Sequence, residues 1–230
     1  MSQQLIEALV AVAIMILVAF PVHEFSHALA AYRLGDSTAR WQGRLTLNPI
    51  VHFDPLGGAL LAVSALLGGV FIGWAKPTPV NPRNFRHPVR DDILTSLAGP
   101  ASNFLVVLLT VAALGLLSLT SPAAHLVVHA VARSAWTMVL AFNVSGITPL
   151  ALMLHQLMFI SILLGIFNLI PVPPLDGSHV LRHFLRGEAL RFYDRAGTIG
   201  LVLLLFFGGR LLGALMFPVV RFFNDILTRI

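Results

Sequence analysis

The chain of 230 residues has no cysteine. Disulfide staples and thiolate metal sites are therefore excluded, and any metal must be held by His, Asp or Glu. Charge is also scarce. Asp, Glu, Lys and Arg make up 11% of residues, against about 25% in a soluble domain. There are no interleaved basic and aromatic stretches, so no nucleic-acid partner is expected. The first apolar stretch has no basic residues ahead of it and holds a polar motif, so it does not read as a removable leader. What is abundant is apolar: 57% of residues are hydrophobic and the mean hydropathy is +0.86. In so apolar a chain, the net charge of +5 reads as loop arginines facing an anionic leaflet.

Hydropathy and helix breakers divide the chain into segments. Residues 4–34 read as one long helix, with Pro21 set to kink it or free a carbonyl. Residues 36–55 are polar and broken by Gly43, Pro49 and Pro55; within them Ala39 to Leu47 partly alternates, as a short strand or hairpin would. Residues 56–73 are apolar but glycine-rich, and residues 74–90 look extended, with four prolines and four basic residues. Spans follow at 91–119, 149–171 and 197–220, the last interrupted by Gly208, Gly209 and Arg210. The expected fold is an all-α polytopic membrane protein of about four transmembrane helices. To these it adds a re-entrant or additional membrane segment and a small membrane-associated β element. One domain is expected over 1–230, with its core at 10–190.

Two constellations carry chemistry. His23-Glu24-Phe25-Ser26-His27 lies in the first long helix, at the end of a stretch apolar enough to cross a bilayer. Positions i and i+4 share a helix face, so both imidazoles can reach one ion, while Glu24 projects about 100° away and flanks it. Each ionisable group in a membrane helix costs roughly 2.5–3.5 kcal/mol, and a divalent metal would compensate. The second constellation, Asn168-Leu-Ile-Pro-Val-Pro-Pro-Leu-Asp176-Gly177, ends the 149–171 span in a proline-rich break. Asp176 there can turn a carboxylate sideways. Two imidazoles and one carboxylate make a three-ligand zinc site with an open position, the catalytic arrangement, although the set also suits Fe(II). The Asn168 amide is a candidate oxyanion donor, or else a helix-end residue.

These motifs, with Gly99-Pro100-Ala-Ser-Asn103-Phe and Gly73-Trp-Ala-Lys-Pro-Thr-Pro-Val-Asn-Pro-Arg-Asn-Phe85, resemble the site-2 protease family of intramembrane zinc metalloproteases, in its short prokaryotic form. The resemblance covers about residues 10–190. It implies one zinc ion held by His23, His27 and Asp176, and Glu24 as general base. It also implies cleavage within or near a transmembrane segment of a membrane-protein substrate, as in regulated intramembrane proteolysis. A chain of this length leaves no room for the PDZ or CBS domains of larger relatives. The rival from another class is a divalent metal-ion transporter using the same ligands, which would give Glu24 no special role.

Other polar residues read more plainly. Asp176, His179 and His183 form a rival local cluster that would leave His23 and Glu24 unexplained. His125 and His129 share the i, i+4 spacing but have no carboxylate. Asn103 reads as an interhelical hydrogen bond, His52 as a turn residue and Arg210 as a kink or water-facing position. By the positive-inside rule, the basic segments 36–55, 74–90 and 182–195 face the cytoplasm and 121–148 lies outside. Residues 56–73 then re-enter rather than cross, and the active site faces the cytoplasmic side of a prokaryotic membrane. A rival count makes 56–73 and 121–148 both full spans. Ala39–Leu47 and Lys76–Phe85 are the candidate edges for pairing with an unwound substrate.

Overall fold

The computed structural model describes residues 3–67, 72–133 and 146–230. Helix α1 (Gln3–Ile14) runs through a π-helical turn (Met15–Ala19) into α2 (Phe20–Leu34). The wide turn sits where Pro21 has no N–H to give Leu17, and Phe20 N–H reaches back to Met15 O instead. The proline thus loosens the helix without ending it. The end comes at Gly35, whose φ of 115° turns the chain left-handed while its N–H caps Ala31 O and Tyr32 O.

The expected β element is absent: there is no strand among the described residues. Residues 38–41 form a helical turn, α3 (Thr38–Trp41), followed by turns and bends. Local hydrogen bonding decides this. The Asp36 carboxylate accepts from Thr38 N–H at 3.1 Å and from Thr38 Oγ1 at 2.5 Å, which winds the chain rather than extending it. The alternation that suggests a strand reflects inward burial of Ala39 and of Arg44, which is only 4% exposed. The Arg44 guanidinium donates to Val51 O and Pro77 O, tying the first loop to the second. Helices α4 (Pro49–His52) and α5 (Pro55–Leu66) follow, capped by the side chains of Asn48 and Asp54.

The second candidate edge is extended only as far as Asn81, before a 3-10 turn at Pro82–Asn84. It has few donors to offer a pairing strand. Pro77, Pro79 and Pro82 have none, Lys76 N–H is given to His52 O, and Thr78 N–H is given to Glu24.

Helix α6 (Pro88–Ser118) is the longest, followed by α7 (Pro122–Ala132), α8 (Ile147–Leu169) and the short α9 (Asp176–Arg182). Helices α10 (Gly187–Phe207) and α11 (Gly209–Leu227) close the chain. Ala8–Leu34, α6 and α8 are each long and apolar enough to cross a bilayer; Ile199–Phe207 with Gly209–Leu227 makes a fourth only as a pair bent by 67°. The bend falls at Gly208, where a Cβ would press on the Leu204 carbonyl. Twelve-residue α5 rises about 18 Å, short of the ~30 Å hydrocarbon core. Gly68 and Gly69, on which the re-entrant reading drew, and residues 134–145 of the proposed outer segment lie outside the described residues.

The three long apolar helices pack side by side, with α6 between α2 and α8. One buried cluster joins α6, α7, α8 and α11 through Val107, Leu114, Val128, Met158 and Leu227. A second joins α1, the π turn, α5 and α8 through Ala11, Met15, Leu61 and Ile160. The polar residues of the motifs lie between α2, α6 and the start of α9.

Candidate metal centre

His23 and His27 lie one turn apart on the face of α2 turned toward α6, both buried, with Nε2 atoms 3.1 Å apart. That approach needs a gap in α6, which Gly99 supplies. A Cβ there would stand 2.6 Å from Cε1 of His23 and of His27. One turn to either side, α6 presents a polar group to each ring. His27 Nδ1–H donates to Thr95 O at 2.7 Å. The Asn103 amide lies 3.0 Å from His23 Nδ1 and is 0% exposed. Thr95, Gly99 and Asn103 follow each other at four-residue steps, so one stripe of α6 holds both imidazoles by their outer nitrogens. Their Nε2 atoms are left pointing at a common spot.

Asp176 comes to that spot from the other side of the bundle. Helix α8 stops at Ile170, Val172 O accepts from Leu175 N–H at 2.9 Å, and α9 starts at Asp176. Gly177 lets the new helix pack on the backbone of Leu169, since a Cβ would collide with that carbonyl. Asp176 Oδ2 is then 3.2 Å from His23 Nε2, and Oδ1 is 3.3 Å from His27 Nε2.

These residues fit a zinc ion. Bonds of about 2.0–2.1 Å in a tetrahedron put neighbouring donor atoms roughly 3.3 Å apart, matching the observed 3.1–3.3 Å. Asp176 Oδ2 is buried with no hydrogen-bond partner, as an oxygen kept for a metal would be. The Asn103 atom placed against His23 Nδ1 is Nδ2, and Oδ1 is buried without a partner. With Nε2 committed to an ion, His23 would carry its proton on Nδ1, and the amide turned end for end would accept it and satisfy that oxygen. This is the one group of three possible ligands brought together among the described residues.

Glu24 stands beside the group rather than in it. Its Oε2 accepts from Thr78 N–H at 2.7 Å, and Thr78 Oγ1 donates to Glu24 O at 3.0 Å. The Asn168 amide N–H is given to Leu164 O at 2.9 Å, one turn back on its own helix. His179 and His183 turn away from Asp176 toward Asp92. His125 stacks on His129 with ring centroids 4.0 Å apart and lies 3.1 Å from Ser118 Oγ. His52 Nε2–H donates to Thr46 O at 2.7 Å, a turn contact. Sequence reasoning missed the stripe role of Gly99 and Thr95. The adjacency of Gly99-Pro100 to Asn103 was the only clue, because a close helix approach has no signature of its own.

Apolar helices long enough to cross a bilayer, with a buried His₂–carboxylate group between them and a glutamate at its side, define a membrane metalloprotease. The comparisons agree. The sequence pattern of peptidase family M50 matches residues 10–207. A Bacillus subtilis protein named "Putative zinc metalloprotease YwhC" is 36% identical over 192 residues, covering 84% of this chain and 77% of its own. "Putative zinc metalloprotease Rip2" of Mycobacterium tuberculosis H37Rv is 32% identical over 214 residues, covering 91% of this chain and 71% of its own. No solved structure matches the chain. The chain belongs to peptidase family M50, the site-2 protease family, and is a zinc-dependent metalloprotease rather than a metal carrier.

Proposed function

We propose that the enzyme is an intramembrane endopeptidase, cutting a peptide bond within or near a transmembrane segment of a membrane protein, in the manner of regulated intramembrane proteolysis. The depth of the site carries this reading. His23 is 11 residues before Leu34, the end of the first span. At 1.5 Å per residue that is about 16 Å of helix, close to the half-thickness of the hydrocarbon core. His23, His27 and Asp176 hold one zinc ion per chain, within a single domain. Zinc there supplies a Lewis acid and lowers the pKa of water to roughly 7.

The chain's own residues supply the rest. Thr95 O and the Asn103 amide fix the rotation and proton position of the two imidazoles. Glu24 acts as general base. Thr78 N–H holds Oε2, which leaves Oε1 to take a proton from the attacking water and return it to the leaving amine. Asn168 serves as an oxyanion donor only by releasing Leu164 O, so its part is the smaller one. Basic residues cluster in the segments that follow α2 and flank α9 and at those helix ends, among them Arg33, Arg40, Lys76, Arg83 and Arg182, which supports a cytoplasmic-facing centre in a prokaryotic cytoplasmic membrane.

Cleavage of a single-span substrate co-reconstituted in nanodiscs, with the product mapped by mass spectrometry, tests the reading. Cuts inside or at the border of the apolar stretch are expected. Cuts confined to soluble tails, many residues from it, would overturn the intramembrane assignment.

A further inference from the structure

His179 and His183 lie one turn apart on α9 and converge on a single carboxylate, that of Asp92 on α6. His183 Nε2–H donates to Asp92 Oδ2 at 2.7 Å, and His179 Nδ1 is 3.7 Å from the same oxygen. Asp92 is 6% exposed. A buried carboxylate is tolerated only when it is paired, and His183 is that hydrogen-bonded partner, with the half-exposed His179 adding a longer ionic contact.

The helix that carries these histidines needs an anchor. With seven residues, α9 is far below the length at which a helix holds itself together. Its first turn bears Asp176 and its last turn bears His179 and Arg182, with His183 as the cap. At the Asp176 end it rests on the backbone of Leu169 through Gly177. At the other end the link to Asp92 fixes it to α6.

Helix α6 is also the element that orients the other two ligands. Asp92, Thr95, Gly99 and Asn103 fall at steps of three, four and four residues, a single face of one helix. From that face Thr95 O holds His27, Asn103 holds His23, and Gly99 lets both rings approach. We propose that Asp92 is a positioning residue for the metal centre. By gripping His183 and His179 it sets the depth and rotation of α9 and delivers the Asp176 carboxylate to the two imidazoles. One stripe of α6 then serves as the common ruler for all three ligands.

The inference rests on the assignment of His23, His27 and Asp176 to zinc, and its test separates the two ideas. Full-length protein in nanodiscs is prepared as wild type, Asp92→Ala, Asp92→Asn, His183→Ala, the Asp92→Ala/His183→Ala pair and Asp176→Ala. Zinc affinity is read by chelator competition, and ligand geometry by the absorption bands of the cobalt-substituted protein. Asp92→Ala and His183→Ala should each weaken zinc by about 10-fold, the low end for residues that support a ligand shell, and change the cobalt bands. The pair should be no worse than Asp92→Ala alone. Asp92→Asn keeps an acceptor oxygen and should fall between wild type and Asp92→Ala.

Wild-type zinc affinity with an unchanged cobalt spectrum in Asp92→Ala would overturn the proposal. So would losses that simply add in the pair, since residues acting through one contact do not add. If Asp92→Ala does not fold, Asp92→Asn and His183→Ala decide by the same readings. Full zinc retention by Asp176→Ala would instead strike the ligand assignment.

Discussion

Gly99→Ala tests the helix approach on which the centre depends. The added Cβ would stand 2.6 Å from Cε1 of both His23 and His27, where ordinary contact begins at 3.4 Å. Helices α2 and α6 would have to part by roughly 0.8 Å, which close-packed interiors resist. The rings cannot swing aside, because their Nδ1 atoms are tied to Thr95 O and to Asn103. Overpacking of this kind costs about 1–3 kcal/mol. If the strain is relieved when the metal leaves, that corresponds to a loss of roughly 5- to 150-fold in zinc affinity. Cleavage should fall by about 10²-fold even at saturating zinc, since a misplacement near 1 Å is enough for that. Chelator competition gives the first number and turnover of a reconstituted substrate the second. Wild-type values for both would show that the helices do not meet at this glycine, and the stripe account would fail.

Asn103→Ala removes the partner of His23 Nδ1 and should weaken zinc by about 10–100-fold while leaving the protein folded; equal affinity would mean that the amide does not orient the ring. Asp36 lies beyond the first span. Its burial pushes the carboxyl up, but hydrogen bonds from Thr38, Asn81 and Asn84 outweigh this and hold it below the usual carboxylate range. Its contribution to stability is therefore present above about pH 4 and lost as pH falls through the depressed value. Asp36→Asn should flatten the acid limb of a stability–pH curve, and an unchanged limb would refute this. Single cysteines at Arg83 and Arg191 should be labelled from the cytoplasmic side and one at Ser121 from the other, in a chain with no competing thiol; labelling of Arg83 from outside would invert the loop between α5 and α6.

Much of this protein is legible in its sequence because the bilayer leaves few options. Long apolar runs must be helices, and α6 and α8 appear where hydropathy puts them. His23 and His27 are legible for a related reason: polar groups inside such runs need a partner, and Asp176, beyond the proline-rich break that ends α8, supplies it. The failures lie where tertiary contacts decide. Ala39 to Leu47 alternates like a strand, yet its inward residues are buried by a loop pinned through Asp36 and Arg44. The 197–220 stretch has the apolarity of a single span, but Gly208 lets it fold into two helices at 67°. Gly99 and Asp92 act across the gap between helices, and spacing along one chain does not carry that information.

The most direct test of the central claim is zinc content and proteolysis measured side by side for Glu24→Gln and Asp176→Ala. Glutamine keeps the size of the side chain and its bond to Thr78, but it cannot take a proton from water. Glu24→Gln should hold about one zinc per chain, because the three-ligand set is spared, and should lose nearly all cleavage. Asp176→Ala should lose both metal and activity. Cleavage at the wild-type rate by Glu24→Gln, or undiminished zinc in Asp176→Ala, would contradict the roles assigned to these residues.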